Sequence, residues 1–236
     1  MGAVEAEGVG GREAVSAAVL RSSTALTAPV PDTGLTLRQY YLMIGLGAFV
    51  TTFCQPGVIG RLPLRLFLKD HLGLSAEAVA TFTFVTTFAW NVKPVAGILS
   101  DAFPLFGTRR RHYMMIGAGM AALSWFMMGV LPPTYRWLAI AAFATNAFMV
   151  VASTVMGGLM VEAGQKFVIS GRVTSLRQAV QSAVSLGNGI LGGYLATMAF
   201  GWTVGVATAL LLVLTITTVF ALREKKRIAG LLSPTQ

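Results

Sequence analysis

Asn91-Val-Lys-Pro-Val-Ala-Gly-Ile-Leu-Ser-Asp-Ala-Phe-Pro-Leu-Phe-Gly-Thr-Arg-Arg-Arg111 joins two long apolar runs of the chain. Its glycines at positions 97 and 107 allow two helix ends to approach closely. The three arginines at positions 109–111 are typical of a loop on the cytoplasmic side of a membrane. Asp101 requires a partner, which a helix N-terminus or an arginine would provide. The stretch therefore predicts a short charged loop between two membrane-spanning helices.

The composition of the whole chain agrees with this interpretation. Of the 236 residues, 55% are hydrophobic and only 11% are charged, whereas soluble domains carry about 25% charged residues. An integral membrane protein with the lipid bilayer as its surroundings is therefore expected. The net charge of +9 does not indicate a nucleic-acid partner, because the charges cluster between apolar runs as orientation signals do.

Catalytic and metal-binding patterns are missing from the sequence. Cys54 is the only cysteine, and His71 and His112 have no acidic or cysteine neighbour at ligand spacing, so neither a metal site nor a cofactor is expected. The sequence also contains no phosphate-binding glycine loop and no zinc-protease or serine-hydrolase motif. We therefore expect that the protein is not an enzyme.

Apolar periodicity divides the chain into a tail, a membrane domain and a second tail. Residues 1–36 lack an apolar period and predict a disordered cytoplasmic tail. Residues 37–222 predict six membrane-spanning segments, and residues 223–236 a cytoplasmic C-terminal tail. The six segments cover 37–67, 76–99, 113–131, 137–161, 174–200 and 202–222, with kinks expected at Pro56 and Pro63 of the first.

The basic residues between segments predict the orientation of the chain. Eleven of them fall on the N-terminal side of the membrane and two on the other, which places both termini in the cytoplasm. A plasma or inner membrane is the expected location. The eleven are Arg38, Arg109, Arg110, Arg111, Lys166, Arg172, Arg177, Arg223, Lys225, Lys226 and Arg227, and the two are Lys69 and Arg136.

Several motifs resemble a known transporter family. Gly97-Ile-Leu-Ser-Asp101, followed by Gly107 and the arginine triplet, resembles the loop between helices 2 and 3 of the major facilitator superfamily. The longer pattern is similar to the folate-biopterin transporter branch of that superfamily. This pattern comprises Trp90-Asn-Val-Lys-Pro94, Phe103-Pro104, Phe106-Gly107, Phe67-Leu-Lys-Asp70, Leu72-Gly-Leu74, Ser170-Gly-Arg172 and Gln178.

The resemblance implies an all-α fold of six transmembrane helices, equivalent to the N-terminal half of a twelve-helix transporter. Within that half, segments 1–3 and 4–6 would form a 3+3 inverted repeat. The branch commonly carries acidic residues on segment 4 where this chain has Ser153 and Gly157. That departure puts proton coupling or substrate contacts through those acids in doubt.

Four polar residues are candidates for substrate binding. Lys93 either extends to the membrane interface or faces a cavity that accepts an anion. Arg61 either meets lipid headgroups or attracts a carboxylate into that cavity. Asn146 and Gln181 lie within spans, where such groups bind either a neighbouring helix or a ligand. The resemblance implies that the solute is an anionic folate- or pterin-like compound.

A second set of residues forms a predicted cytoplasmic gate. Asp101 and the arginine triplet either set orientation alone or form a charge latch, with Glu162 as the counter-charge at the inner end of segment 4. The resemblance and the charge balance favour the latch. The predicted gate residues are Gly97, Asp101, Gly107, Arg109, Arg110, Arg111 and Glu162.

The sequence leaves two functions open. The first is secondary transport by alternating access, as one half of a homodimer or together with a separately encoded six-helix half. The second is a membrane scaffold or assembly factor that kept the half-transporter fold without transporting. Gly189 and Gly193 form a small-xxx-small pair, which we expect to pack inside one bundle rather than to form a dimer motif. Pairing with another half is expected through segments 2 and 5, because a lone half would expose polar groups to lipid.

Overall fold

A computed structural model of the chain describes residues 35–102 and 110–221, and the side chains of all of these except 98–102. Every regular element among them is helical. In chain order the α-helices are α1 (Leu37–Phe53), α2 (Arg61–Leu66), α3 (Ala76–Thr87), α4 (Lys93–Ala102), α5 (Arg111–Val130), α6 (Tyr135–Phe167), α7 (Ser170–Ala196) and α8 (Phe200–Ala221). A π-helical turn, Phe67–His71, follows α2, and a 3-10 segment, Phe88–Val92, lies between α3 and α4.

Side-chain caps fix the beginnings of two helices. Thr36 accepts a hydrogen bond from the backbone N–H of Gln39, and the Gln39 side chain accepts from the Thr36 N–H, at 2.8 Å. Ser75 likewise accepts from the N–H of Ala78, at 3.2 Å. Both caps satisfy N–H groups that have no partner within the helix. Helix α1 therefore begins at Leu37 and α3 at Ala76, as the sequence predicts.

The first predicted segment is broken into two helices rather than kinked. Residues 54–60, which include Pro56, form turns between α1 and α2. The indole N–H of the fully buried Trp125 donates to the carbonyl of Cys54 at 2.8 Å and satisfies a backbone group that the break exposes. Pro63 is not a kink, because it lies in the first turn of α2, where a missing N–H costs nothing.

The second predicted segment changes its helical form before Pro94. Proline cannot donate the N–H that would bind the carbonyl of Trp90, and the N–H of Lys93 binds that carbonyl instead. The backbone is therefore tightened into a 3-10 turn over Phe88–Val92 before α4 begins.

Helix α6 is the centre of the fold, and it is longer than predicted, with 33 residues. It packs against α1, α3, α4, α5 and α7, and α5 also packs along α8. The contact between α5 and α6 is close at Gly117, where a Cβ would lie 3.0 Å from the backbone oxygen of Phe148 and 3.0 Å from the nitrogen of Ala152. A glycine is therefore required at this crossing.

Three of the described helices are long and apolar enough to cross a membrane, namely α5, α6 and α8. They correspond to predicted segments 3, 4 and 6. Segments 1 and 2 are each divided into shorter helices by the breaks at 54–60 and 88–92. Helix α7 has the length of a span but carries more polar residues, among them Arg177, Gln181 and Asn188. The total of six spans stays a prediction.

The glycines of α7 differ from the prediction. A Cβ at Gly189 or Gly193 would have no described atom within 4 Å. Neighbouring Leu186 and Ile190 are each 79% exposed. The expectation that this pair packs inside one bundle is therefore wrong for the described part of the chain. A small-xxx-small pattern shows that close approach is possible, not which surface approaches.

Candidate functional site

One face of α6 carries the polar groups of the site. Asn146, Ser153 and Gly157 are spaced by seven and four residues, which places them along one side of a helix. We call these three residues the polar face of α6. Asn146 and Ser153 are buried, although the surrounding helices are largely apolar. Buried polar groups require partners, and α4 with the 3-10 segment before it provides them.

Asn146 is held by two hydrogen bonds. Its side-chain oxygen accepts from the indole N–H of Trp90 at 2.9 Å, and its NH2 group donates to the carbonyl of Ala142 at 3.1 Å. It also lines a cavity of about 250 Å³ together with Arg61, Thr83 and other residues of α2 and α3. The structure therefore brings two predicted substrate-binding residues, Arg61 and Asn146, to the same cavity.

Lys93 lies further along the polar face. Its ammonium group donates to the hydroxyl of Ser153 at 3.0 Å and lies 5.3 Å from the ring centroid of Trp90. The hydroxyl is a neutral partner, and a cation–π contact only partly compensates an ammonium group. Among the described residues no carboxylate forms an ion pair with Lys93. The half-buried cation therefore faces the interior with its charge uncompensated by those residues.

The fourth predicted substrate-binding residue stands apart. Gln181 is half-buried on α7 and forms no hydrogen bond with another described residue. It is not among the residues that line the cavity of Arg61 and Asn146. The geometry therefore groups Arg61, Asn146 and Lys93 along α6 and leaves Gln181 outside that group.

A second cluster lies at the C-terminal end of α6, on another face of the helix. The Arg110 guanidinium forms an ion pair with the carboxylate of Glu162, which is 0% exposed. The Tyr40 hydroxyl, from α1, donates to the other oxygen of the same carboxylate. Gly158 lies one turn before Glu162, and its missing side chain leaves space for Arg110, whose Nε would be 3.4 Å from a Cβ there.

The remaining predicted gate residues are placed only in part. Arg111 donates to the carbonyl of Val219 on α8 at 3.1 Å, which joins the start of α5 to α8. Gly97 packs against α6, with 3.6 Å between its Cβ position and Thr154. Gly107 and Arg109 lie outside the described residues, as does the side chain of Asp101.

Tyr40 is a member of this cluster that sequence reasoning missed. It is separated from Glu162 by 122 positions, and Tyr41 beside it is an equal candidate by composition. The periodicity of apolar residues along α1 is the signal that could have indicated which of the two tyrosines faces the core.

The described residues contain no group of histidine, cysteine and acidic side chains that could hold a metal ion.

Comparison with known proteins shows which protein family resembles this chain. The profile of the BT1 family matches residues 57–235. A folate-biopterin transporter from Synechocystis sp. is 30% identical over 183 residues, which are 75% of this chain and 37% of that protein. Probable folate-biopterin transporter 4 from Arabidopsis thaliana is 30% identical over 54% of this chain and 27% of its own length. No solved structure gives a significant match.

These relatives are much longer than the region they share with this chain. Folate transporter 1 from Plasmodium falciparum is 28% identical over 31% of this chain and 15% of its own length. The chain thus spans 37% or less of each of these three relatives. All three are named as transporters, which confirms the expectation of a membrane protein that is not an enzyme. The chain belongs to the BT1 family.

Proposed function

We propose that the chain is one half of a secondary transporter that carries an anionic, folate- or pterin-like solute by alternating access. The observation that carries this proposal is that Arg61 and Asn146 line one cavity beside α6, while Lys93 binds the buried Ser153 further along the same helix. Cations beside polar groups inside a membrane mark solute pathways. The names of the relatives indicate the solute class.

The proposed fold comprises six spans in a 3+3 inverted repeat, with residues 37–222 as the membrane domain. Interrupted helices support this, because transporter sites are commonly formed where spanning helices are discontinuous. The breaks at 54–60 and 88–92 lie beside the two regions where Arg61 and Lys93 enter the site. The biased distribution of basic residues supports cytoplasmic termini and a plasma or inner membrane location.

The Arg110–Glu162 pair supports a proposed gate at the cytoplasmic end. It joins the start of α5 to the end of α6, while Tyr40 connects α1 to the same carboxylate. Opening of the pathway at this end would have to separate these helices, and the ion pair opposes that separation. We propose that Gly97, Asp101, Gly107, Arg109 and Arg111 complete the gate.

A second copy or a separately encoded half is the proposed partner. The exposed face of α7 carries polar side chains next to Gly189 and Gly193. Lipid would leave such groups unsatisfied, whereas a second helix bundle can bind them. Cross-linking of cysteines on α3 of one copy and α7 of the other should therefore trap a dimer, and a monomer that binds solute would contradict this pairing.

Binding of folate to the purified full chain tests the function directly. Lys93→Ala and Arg61→Ala should each weaken binding by about 10- to 100-fold, which corresponds to the loss of a hydrogen bond to a charged group. Arg136→Ala, which removes an exposed cation at the start of α6, serves as the control and should bind like the wild type. Unchanged binding in both test variants would refute the site.

A non-transporting scaffold is the second candidate. Ser153 and Gly157, which stand where the resemblance leads one to expect acids, favour it, because acids are the usual groups for proton coupling. Reconstitution of the chain with each candidate partner half in proteoliposomes distinguishes the two functions. Uptake of labelled folate supports transport, and a stable complex without uptake supports the scaffold.

A further inference from the structure

Arg177 of α7 is a cation that the predicted orientation alone does not explain. It is half-buried, and its guanidinium reaches the sulfur of Met160 on α6 at 3.8 Å. A thioether is a weak acceptor, and guanidinium has five donors to satisfy. Among the described residues no carboxylate pairs with Arg177. The residue therefore lies in the bundle with most of its hydrogen-bonding capacity unused by that part of the chain.

Arg177 and Lys93 approach the same side of α6 from two different helices. Lys93 binds Ser153, and Arg177 contacts Met160, which is seven residues, or about 10 Å, further along. Ser153 and Met160 are two turns apart on one side of α6, so both cations reach the same side of that helix. Two half-buried cations that approach one side of a helix repel each other, and an anion between them would offset that repulsion.

Space for such an anion exists at Gly157. This residue lies between Ser153 and Met160 on the polar face of α6, and a Cβ there would have no described atom within 4 Å. The described acids are elsewhere: Glu162 is bound by Arg110 on another face of α6. Asp101, whose side chain is not described, is eight residues from Lys93, about 12 Å along α4.

We propose that Lys93 and Arg177 together bind a carboxylate of the solute over Gly157. Guanidinium binds a carboxylate through two parallel hydrogen bonds, and an ammonium group adds a compact charge, so the pair would both orient and neutralise the anion. The inference rests on the proposed function and adds Arg177 as a binding residue. It predicts that a solute with a carboxylate is preferred over one without.

The test compares two solutes in equilibrium dialysis of the full chain in nanodiscs. Folate carries carboxylates, whereas biopterin shares the pterin ring and has none. Arg177→Gln should weaken folate binding by about 10- to 100-fold and change biopterin binding by less than about threefold. Arg172→Gln, an exposed arginine on the same helix, should change neither.

Gly157 provides a second pair of variants that leaves both cations in place. Gly157→Asp adds a carboxylate that competes with the solute for the two cations and should weaken folate binding more than Gly157→Asn, which adds similar bulk without charge. The inference is overturned if Arg177→Gln binds folate as tightly as the wild type, or if the two Gly157 variants lose folate binding equally. Biopterin binding by the same proteins would still support the proposed function. Failure of the wild type to bind either solute overturns both.

Discussion

Removal of the two sides of the Arg110–Glu162 pair should have unequal effects. The Glu162 side chain is 0% exposed and the Arg110 side chain is 16% exposed. Water can therefore solvate the guanidinium in part but not the carboxylate, so loss of the partner costs more free energy for the carboxylate. Arg110→Met leaves a buried carboxylate without its cation, which costs about 3–5 kcal/mol of unfolding free energy. Glu162→Gln keeps an acceptor for Arg110 and a partner for Tyr40. It should cost only about 1–2 kcal/mol, the difference between charged and neutral hydrogen bonds.

The assay is reversible unfolding in mixed micelles, followed by far-ultraviolet circular dichroism on the two variants and their combination. Because the groups are in contact, the double variant should be less destabilised than the sum of the single ones, by about 1–3 kcal/mol. Tyr40→Phe serves as an independent probe, since its effect should shrink in the Glu162→Gln background. A Glu162→Gln cost that equals or exceeds that of Arg110→Met, or additive costs, would refute the reasoning.

Other predictions concern packing, backbone strain and orientation. Gly117→Ala should destabilise the fold by about 1–3 kcal/mol, because the added Cβ would push the backbone of α6 away. Gly45→Ala is the control: the space around Gly45 is open, so this variant should be neutral or stabilising in the same unfolding assay. Val168 is 91% exposed with a φ of 55°, so Val168→Gly should raise the unfolding free energy by about 0.5–1 kcal/mol. For the proposed orientation, a cysteine at Asp70 should react with an impermeant reagent on intact cells and one at Lys225 should not; the reverse pattern would contradict cytoplasmic termini.

Local chemistry explains which parts of the fold could be predicted. The starts of α1 and α3 depend on Thr36 and Ser75, which act within three residues of themselves. The change of helical form before Pro94 likewise follows from one missing donor. Such features depend only on neighbouring residues, so a single sequence is enough to predict them.

Features that depend on distant contacts could not be predicted in the same way. The role of Tyr40 requires the folding together of α1 and the end of α6, and no local pattern separates it from Tyr41. The charge pattern assigns Arg177 to the orientation signals, and only its contact with Met160 in the folded chain places it beside the polar face of α6. For the glycines of α7, small size predicts a close approach but carries no information about the partner.

The length of α6 determines which charges the membrane voltage can act on. Its 33 residues extend about 50 Å, whereas the hydrocarbon core is about 30 Å thick. For a helix near the membrane normal that enters at Tyr135, Asn146 lies about halfway through the core and Glu162 about 10 Å beyond it. A charge that crosses the full field changes in energy by about 2.3 kcal/mol per 100 mV. On this placement and the proposed transport function, separation of Arg110 from Glu162 moves little charge through the field, and any voltage dependence of uptake would come from charges that move along α6 within the core.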